Sequence, residues 1–297
     1  MADLFNMNED DNWKLSLRNC IAKSFDDNAD KNDIYETVGH FYLCYAPNYL
    51  YKYYSDEDRN IDAVKSNKMW YAVPIGFNDV FDCDIAIDEK GLFNSYLKQV
   101  PKGTTIRQGS HRWLQLKKIL QTELKSLGQT IEDMKRTTGI SCLSESCDSL
   151  LMWAHYANNH CGICVEYELL EINKQLQFTP VPIIYDEDRV VYGSLDDNAN
   201  EVFIKCLTSK SPEWSYEKEW RIIRDDGACG EKWDEKNNGA LLEMIRPHSI
   251  ILGCQAKPDY ERLVRKYCEE NSINLYKMEK DTVFYKLNKT TLLHFYD

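Results

Sequence analysis

Residues 214–221 read Trp-Ser-Tyr-Glu-Lys-Glu-Trp-Arg, and this run has the most informative side-chain pattern in the chain. As part of a strand over 216–223, it places Glu217, Glu219 and Arg221 on one face, because side chains alternate between the two faces of a strand. Two carboxylates and a guanidinium are rarely buried in a hydrophobic core, so this face of the strand lies against either solvent or a cleft. In a cleft, Arg221 can keep one carboxylate ionised while the pKa of the other is raised.

The segments on either side of this run mix strand-like and helical patterns. Strand patterns occur at 50–54, 69–73, 139–143, 162–167, 181–185, 216–223, 241–245, 249–252, 273–278 and 283–287. Helical patterns occur at 13–21, 34–45, 59–67, 111–127, 150–156, 199–208 and 257–271. Because these elements lack a βαβ rhythm, the sequence predicts a single mixed α+β domain over 46–297. A helical extension over 1–45 precedes it, and either docks on an antitoxin or other partner protein or packs on its own core.

Composition excludes several classes of protein. The chain has 297 residues with 36 basic and 48 acidic side chains, a net charge of −12, which disfavours clamping of long nucleic-acid duplexes. No apolar run reaches the length of a membrane span, and the N-terminus has no secretory signal. The eleven cysteines are scattered and indicate reduced thiols, so a cytoplasmic protein with no membrane partner is expected. Cys161 and Cys164 form a lone CxxC without a second pair, and no metal is expected.

Common nucleotide and hydrolase fingerprints are absent, and three aromatic clusters remain beside 214–221. In Tyr51-Lys52-Tyr53, the lysine either holds a phosphate or ribose hydroxyl near a stacking surface, or points to solvent from an edge strand. Trp70 and Tyr71 precede a second cluster, Phe77-Asn78-Asp79-Val80-Phe81-Asp82. That cluster is either a turn capped by its own side chains or a polar pair over a pocket lined by Trp70 and Tyr71.

The third cluster is Trp153-Ala154-His155-Tyr156, with His160 four residues further on. A single histidine in such a setting is usually a hydrogen-bonded core residue. Two histidines with Trp and Tyr within eight positions are as consistent with a binding site as with a core.

In this order, the clusters resemble the bacterial domain-of-unknown-function family 2971. Its pattern has a Tyr-Lys-Tyr strand, a Trp strand leading to Phe-Asn-Asp-Pro-Phe, and a Ser-containing strand. Met-Trp-x-His-Tyr-x-x-x-His-x-Gly and Tyr-Glu-x-Glu-Trp-Arg follow. The matching positions here are 51–53, 77–81, Ser141, 152–162 and 216–221, with Val80 in place of Pro.

The family layout also resembles that of ADP-ribosyltransferases, which implies a split-sheet fold and NAD as substrate. By that resemblance Lys52 takes the basic position, Trp70 and Tyr71 supply the stacking surface, and Glu219 is the late catalytic carboxylate. Glu217 orients or deprotonates the acceptor. The remaining aromatic and polar motif residues are expected to bind NAD: Tyr51, Tyr53, Phe77, Asn78, Ser141, Trp153, His155, Tyr156, His160 and Arg221.

The resemblance implies an enzyme of a bacterial toxin or anti-phage defence system that transfers ADP-ribose to an unknown protein or nucleic-acid acceptor. Cleavage of the nicotinamide–ribose bond develops oxocarbenium charge, which a nearby carboxylate stabilises. Two alternatives stay open at this point. The same pocket could serve a non-enzymatic nucleotide-sensing or partner-binding domain, or Asp79, Asp82, Glu217 and Glu219 could serve a metal-dependent nuclease.

Overall fold

The structure is a computed structural model, and it describes residues 12–25, 29–101, 104–176, 179–224, 233–234 and 238–295. The helices in this part of the chain are α1 Asn12–Lys23, α2 Lys31–Tyr45, α3 Asp58–Lys65, α4 Glu89–Gln99, α5 His111–Thr137, α6 Leu150–Tyr156, α7 Leu169–Leu176, α8 Ala199–Leu207 and α9 Pro258–Asn271. Two 3₁₀ turns occupy Pro74–Gly76 and Pro212–Glu217.

Most strands belong to one large, mostly antiparallel sheet. In chain order, the strands of the described residues are β1 Tyr49–Tyr54, β2 Lys68–Ala72, β3 Ala86–Ile87, β4 Gly139–Ser144, β5 Ile163–Glu168, β6 Val181–Pro182, β7 Ile184–Tyr185, β8 Val191–Tyr192, β9 Ser209–Lys210, β10 Glu219–Arg224, β11 Trp233–Asp234, β12 Gly239–Glu243, β13 Ser249–Leu252, β14 Asn274–Lys280 and β15 Leu287–Leu293. The main path runs β11-β12-β2-β4-β1-β5-β13-β14-β15, and β10 connects β4 to β6. β3 pairs with β8, and β7 pairs with β9, in two small separate sheets.

The sheet splits beside β4. β10 pairs with all six residues of β4, so it occupies one complete edge of that strand. On the other edge β1 meets only Ser144, through Tyr51, and β2 meets only Ile140, through Ala72. The edge of β4 between these two bridges is therefore open, and β1 and β2 diverge from it.

Helices pack on this sheet through apolar stripes, and the N-terminal helices share its core. Leu17 of α1 and Val38 and Tyr42 of α2 are buried in the same cluster as Trp220 of β10. Lys14 pairs with Glu145 at 3.0 Å, and the Trp220 indole donates to that same carboxylate. The described part of the extension thus packs on its own core. The mixed α+β class with N-terminal helices is confirmed, while the boundary between 45 and 46 stays a prediction.

Two of the predicted strands are wrong in part. Residues 212–217 form a 3₁₀ turn, and the strand begins only at Glu219, because Lys218 adopts a left-handed conformation with φ of 44°. In the apolar run at 283–287, residues 283–286 form the exposed tip of the hairpin between β14 and β15, where the Asp281 carboxylate accepts hydrogen bonds from two backbone N–H groups, and only the buried Leu287 belongs to a strand. Alternating or apolar composition does not distinguish such turns from strands when a polar side chain caps the backbone.

Among the described residues, no helix combines the length and the apolarity that a transmembrane segment needs.

Candidate functional site

A cavity of about 310 Å³ lies where β1 and β2 separate from β4. Its walls come from β1, β4, α6, the turn after β2 and the approach to β10, so segments far apart in sequence meet there. The lining residues are Tyr51, Lys52, Tyr53, Gly76, Phe77, Asn78, Asp82, Cys142, Leu143, Met152, Tyr156, Lys210, Glu217 and Glu219.

Lys210 holds the acidic side of the cavity together. Its ammonium lies 2.6 Å from the nearer carboxylate oxygen of Glu217 and 3.0 Å from that of Glu219. Asp82 is 3.7 Å away, and the ring of Trp214 lies 4.9 Å from the same nitrogen. Because Glu217 and Glu219 bind the same nitrogen atom, their carboxylates are held side by side.

The two glutamates reach this position by a route that differs from strand alternation. Glu217 ends the 3₁₀ turn and Glu219 begins β10, with the left-handed Lys218 between them. The turn is anchored on β4, because the Ser144 hydroxyl donates to the Glu217 carbonyl at 2.6 Å. Tyr185 fixes the next residue, since its hydroxyl accepts the Glu219 N–H at 2.8 Å.

Arg221 forms the buried base of the site. Its guanidinium donates to Glu219 at 2.7 Å and to Asp82 at 2.7 Å, and it also donates to the Leu207 carbonyl at 2.9 Å. The side chain is completely buried, and burial opposes its charge, but the carboxylates raise the pKa of Arg221 above its usual range. Arg221 therefore stays charged beneath the cavity and does not line it.

The backbone at Cys83 directs two aspartates to different places. Cys83 is buried with φ of 54°, a conformation that is unfavourable for a residue with a side chain. On one side of it Asp82 enters the Arg221 and Lys210 network. On the other side Asp84 pairs with Lys135 at 2.6 Å, at the edge of the domain. The left-handed residue lets one short segment supply both ion pairs.

The environments of the two glutamates separate their pKa values. Burial raises the pKa of Glu217, and the adjacent charge of Lys210 and a 2.5 Å hydrogen bond from Tyr156 only partly offset this effect. Burial also acts to raise the pKa of Glu219, but Arg221 and Lys210 outweigh it and hold that pKa well below its usual range. Glu219 is thus a fixed anion, and Glu217 is the carboxyl able to exchange a proton closer to neutrality.

Lys52 lines the cavity from β1 and contacts the open edge of β4. Its ammonium donates to the Cys142 carbonyl at 2.7 Å and lies 3.4 Å from the Ser141 hydroxyl. These are neutral oxygen atoms, in contrast to the three carboxylates around Lys210. Burial lowers the pKa of Lys52 despite the opposing charge of Glu219.

The cavity brings together eight of the residues that the sequence proposed for catalysis or NAD binding. They are Tyr51, Lys52, Tyr53, Phe77, Asn78, Tyr156, Glu217 and Glu219. The adjacent Asp79 caps the turn instead, since its carboxylate accepts the Phe81 N–H at 2.9 Å. The turn capped by its own side chains is thus present at Asp79, whereas the polar pair over a pocket of Trp70 and Tyr71 is not formed, because only Asn78 of that pair lines the cavity and neither ring does.

Seven proposed residues do not line the cavity: Trp70, Tyr71, Ser141, Trp153, His155, His160 and Arg221. Tyr71 is fully buried in the main core, and Trp70 packs against Gly239. His155 is exposed, with its ring 6.2 Å from that of Tyr216. These positions do not support the stacking role that the resemblance implied for Trp70 and Tyr71.

The His-x-Gly end of the third motif builds a turn. Asn158, Asn159 and His160 are successive left-handed residues, with φ of 45°, 53° and 67°. The His160 ring stacks on that of Trp153 with the ring centroids 6.4 Å apart, and the backbone N–H of His160 donates to the Trp153 carbonyl. Only glycine fits at position 162, because a Cβ there would lie 1.9 Å from the main-chain oxygen of Tyr54. This geometry explains the motif spacing without a ligand.

Lys210, the centre of the acidic cluster, carries no signal in the sequence. Lys210 lies in the polar run Thr208-Ser209-Lys210-Ser211, which has no motif character. Only the pairing of β9 with β7 brings it opposite Tyr185 and next to the two glutamates. The sequence did single out Asp82, as one carboxylate of the nuclease alternative, but no pattern in it indicated that Asp82 pairs with Arg221.

The arrangement bears on that nuclease alternative. Asp82, Glu217 and Glu219 do converge, but the ammonium of Lys210 lies at the point where a metal ion would bind. Within the described residues, no group of three or more His, Cys, Asp or Glu side chains has the arrangement of a metal site. The carboxylates are thus neutralised by fixed cations.

Comparison with known proteins gives one match. The family model described as "Protein of unknown function (DUF2971)" matches residues 152–222, from α6 into β10. This segment contains Tyr156, Lys210, Glu217, Glu219 and Arg221, so it includes the acidic side of the site except for Asp82. No curated protein and no solved structure matches the chain significantly. The match supports the resemblance to that family, whose description states no activity.

Proposed function

We propose that this cavity cleaves the nicotinamide–ribose bond of NAD and transfers ADP-ribose to an acceptor, with ADP-ribosyltransferase-like chemistry. The observation that carries the proposal is the pair of adjacent carboxylates, Glu217 and Glu219, whose environments move their pKa values in opposite directions. Such a divided pair is the usual sign of separate acid–base and electrostatic roles. A setting in a toxin or anti-phage defence system is the context that the resemblance implies.

The roles follow from charge. Glu219 stays ionised and provides negative charge beside a ribose that develops oxocarbenium character. Glu217 lines the cavity and accepts a proton from the attacking acceptor hydroxyl or amine. Tyr156 positions that carboxylate through its 2.5 Å hydrogen bond.

The size of the cavity fits part of the substrate. About 310 Å³ is at the lower end of the range for ligand pockets, which hold roughly 300–1,000 Å³. We place the nicotinamide and its ribose inside, between the rings of Phe77 and Tyr156, with Lys52 donating to a ribose or phosphate oxygen. The adenosine half then extends along the open mouth between β1 and β2.

A second function is favoured by a separate observation, the extent to which the charged groups neutralise one another. Arg221 and Lys210 between them bind Glu219, Asp82 and Glu217, which reduces the field that Glu219 exerts on a developing cation. A site of this kind suits a domain that binds a nucleotide and reports its presence without turnover.

Nicotinamide release from NAD by the purified protein tests the proposal. Glu217→Gln keeps the size of the side chain, and we expect release to fall by about 10²–10⁴-fold, the range for loss of an acid–base group. Glu213→Gln is the matched control, because Glu213 is an exposed residue of the same 3₁₀ turn. Glu219→Gln serves better than Glu219→Ala, since alanine removes the hydrogen-bond acceptor of the buried Arg221.

Three outcomes separate the functions. Release that falls in Glu217→Gln and Glu219→Gln but persists in Glu213→Gln supports the transferase. No release from a wild-type protein whose melting temperature rises with NAD supports the nucleotide-binding domain. Release at the same rate in wild type and Glu217→Gln contradicts the assigned mechanism.

A further inference from the structure

Two lysines share the cavity but have opposite surroundings. Lys210 is surrounded by three carboxylates, which keep its pKa above the usual range even though burial opposes its charge. Lys52 contacts only neutral oxygen atoms, and among the described residues no carboxylate lies within ion-pair distance of its nitrogen. One cavity thus contains a fixed ammonium and an amine whose proton is weakly held.

We propose that Lys52 is an amine nucleophile that forms an imine with an aldehyde or ketone admitted to this cavity. The geometry supports this in two respects: the side chain lines the cavity, and its contacts with Cys142 and Ser141 hold the nitrogen at the open edge of β4. Two such contacts leave one of the three hydrogen positions of an ammonium for exchange with solvent or ligand. This activity goes beyond NAD cleavage and does not depend on it.

Burial provides the physical reason for the reactivity. It lowers the pKa of Lys52, so a larger share of the side chain is the free amine than for an exposed lysine at the same pH. Desolvated lysines of this kind are the ones that proteins use as nucleophiles. Lys210 lacks the property although it lines the same cavity, because its three carboxylates stabilise the charged form.

The reaction balances within the site. Lys52 first releases a proton to solvent, and its nitrogen lone pair then forms a bond to the carbonyl carbon while the carbonyl π electrons move to oxygen. A proton passes from nitrogen to that oxygen, which gives a carbinolamine. The hydroxyl leaves as water after taking a proton from the carboxyl of Glu217, and the C=N bond forms. The iminium proton returns to the Glu217 carboxylate, so amine and carbonyl yield imine and water.

Reductive trapping tests the inference on the full-length protein. Glycolaldehyde is the probe, and sodium cyanoborohydride reduces the imine to a stable secondary amine. Peptide mass mapping then gives the labelling rate of each lysine at neutral pH. We expect Lys52 to be labelled faster than the exposed Lys98, and Lys210 to stay unlabelled. Lys52→Arg, which keeps the charge and the donors, loses the cavity adduct completely, while Lys98→Arg retains it.

Each result decides the inference. Labelling of Lys52 no faster than that of Lys98 overturns it, and so does equal labelling of Lys52 and Lys210, which would reflect access alone. Melting temperatures of both variants show whether the fold is intact. The result is independent of nicotinamide release: a Lys52 adduct without release removes only the transferase proposal. Release without an adduct removes only the imine chemistry.

Discussion

Replacement of Arg221 by methionine tests the central claim about the site, that one buried guanidinium balances two buried carboxylates. Methionine has a similar length and no charge. Arg221→Met removes the hydrogen bonds to Glu219, Asp82 and the Leu207 carbonyl, and all of these partners stay in place. Removal of one partner from a buried ion pair costs about 3–5 kcal/mol, because the remaining charge is left without compensation.

That cost converts to a change in melting temperature. A chain of 297 residues has an unfolding entropy of roughly 0.6 kcal/mol/K, from about 2.1 cal/mol/K per residue. The expected decrease for Arg221→Met is therefore about 5–8 °C, measured by differential scanning calorimetry. Arg262→Met is the control, since Arg262 pairs with Asp259 on the exposed surface of α9, where such pairs contribute about 0–1 kcal/mol.

A double-mutant cycle separates charge balance from packing. In a Glu219→Gln background the guanidinium has one anion fewer to balance, so Arg221→Met is expected to cost less than in wild type. An Arg221→Met protein that melts within about 2 °C of wild type would refute the reasoning. So would an equal cost in both backgrounds, because packing alone would then account for the loss.

Three further outcomes are expected. The pKa of Glu217 is raised above its ordinary value of 4.5, so the folded state binds this proton more tightly than the unfolded chain does. The stabilising contribution of the protonated Glu217 carboxyl therefore falls as the pH rises from about 4.5 through the pKa of the folded state. Over this range we expect the melting temperature of wild type, minus that of Glu217→Gln, to decrease. An increase of this difference with pH would contradict the raised pKa of Glu217. Gly162→Ala is expected to lower the free energy of urea unfolding by at least about 2 kcal/mol, because its Cβ would clash with the Tyr54 carbonyl oxygen. Gly128→Ala, in open space on α5, is expected to raise the same free energy by about 0.5–1 kcal/mol. Equal effects of the two substitutions would contradict the close contact at Gly162. Trp153→Phe, which leaves a main-chain carbonyl without its indole donor, destabilises by about 1–3 kcal/mol in the same assay, and no change would show that water replaces the donor.

Local pattern was sufficient for most of the fold. The strand at 249–252 and the helix predicted at 257–271 agree with β13 and α9 to within one residue, because β13 is a short, fully buried run and α9 buries residues at helical spacing. The prediction failed at 216–223, where the alternating pattern continues through a left-handed residue, and at 283–287, where all residues except Leu287 form a capped turn. The helix predicted at 111–127 extends to Thr137. The apolar pattern did not predict its last turns because they are polar on all but one face.

For the site, the sequence alone determined which residue types are unusual: a lysine among tyrosines, and Glu217, Glu219 and Arg221 within five positions. Their grouping on one side was inferred from strand alternation, yet a 3₁₀ turn achieves it. Only the tertiary structure decided that Lys210 and Asp82 complete the network, and that Lys52 occupies the open edge of β4. The physical reason is that ion pairs act through space over a few ångströms. Asp82 lies 139 residues before its partner Arg221. Lys210 lies only 7 and 9 residues before the two glutamates, and it reaches them through the pairing of β7 with β9. The position of Lys52 depends on the divergence of β1 and β2 from β4.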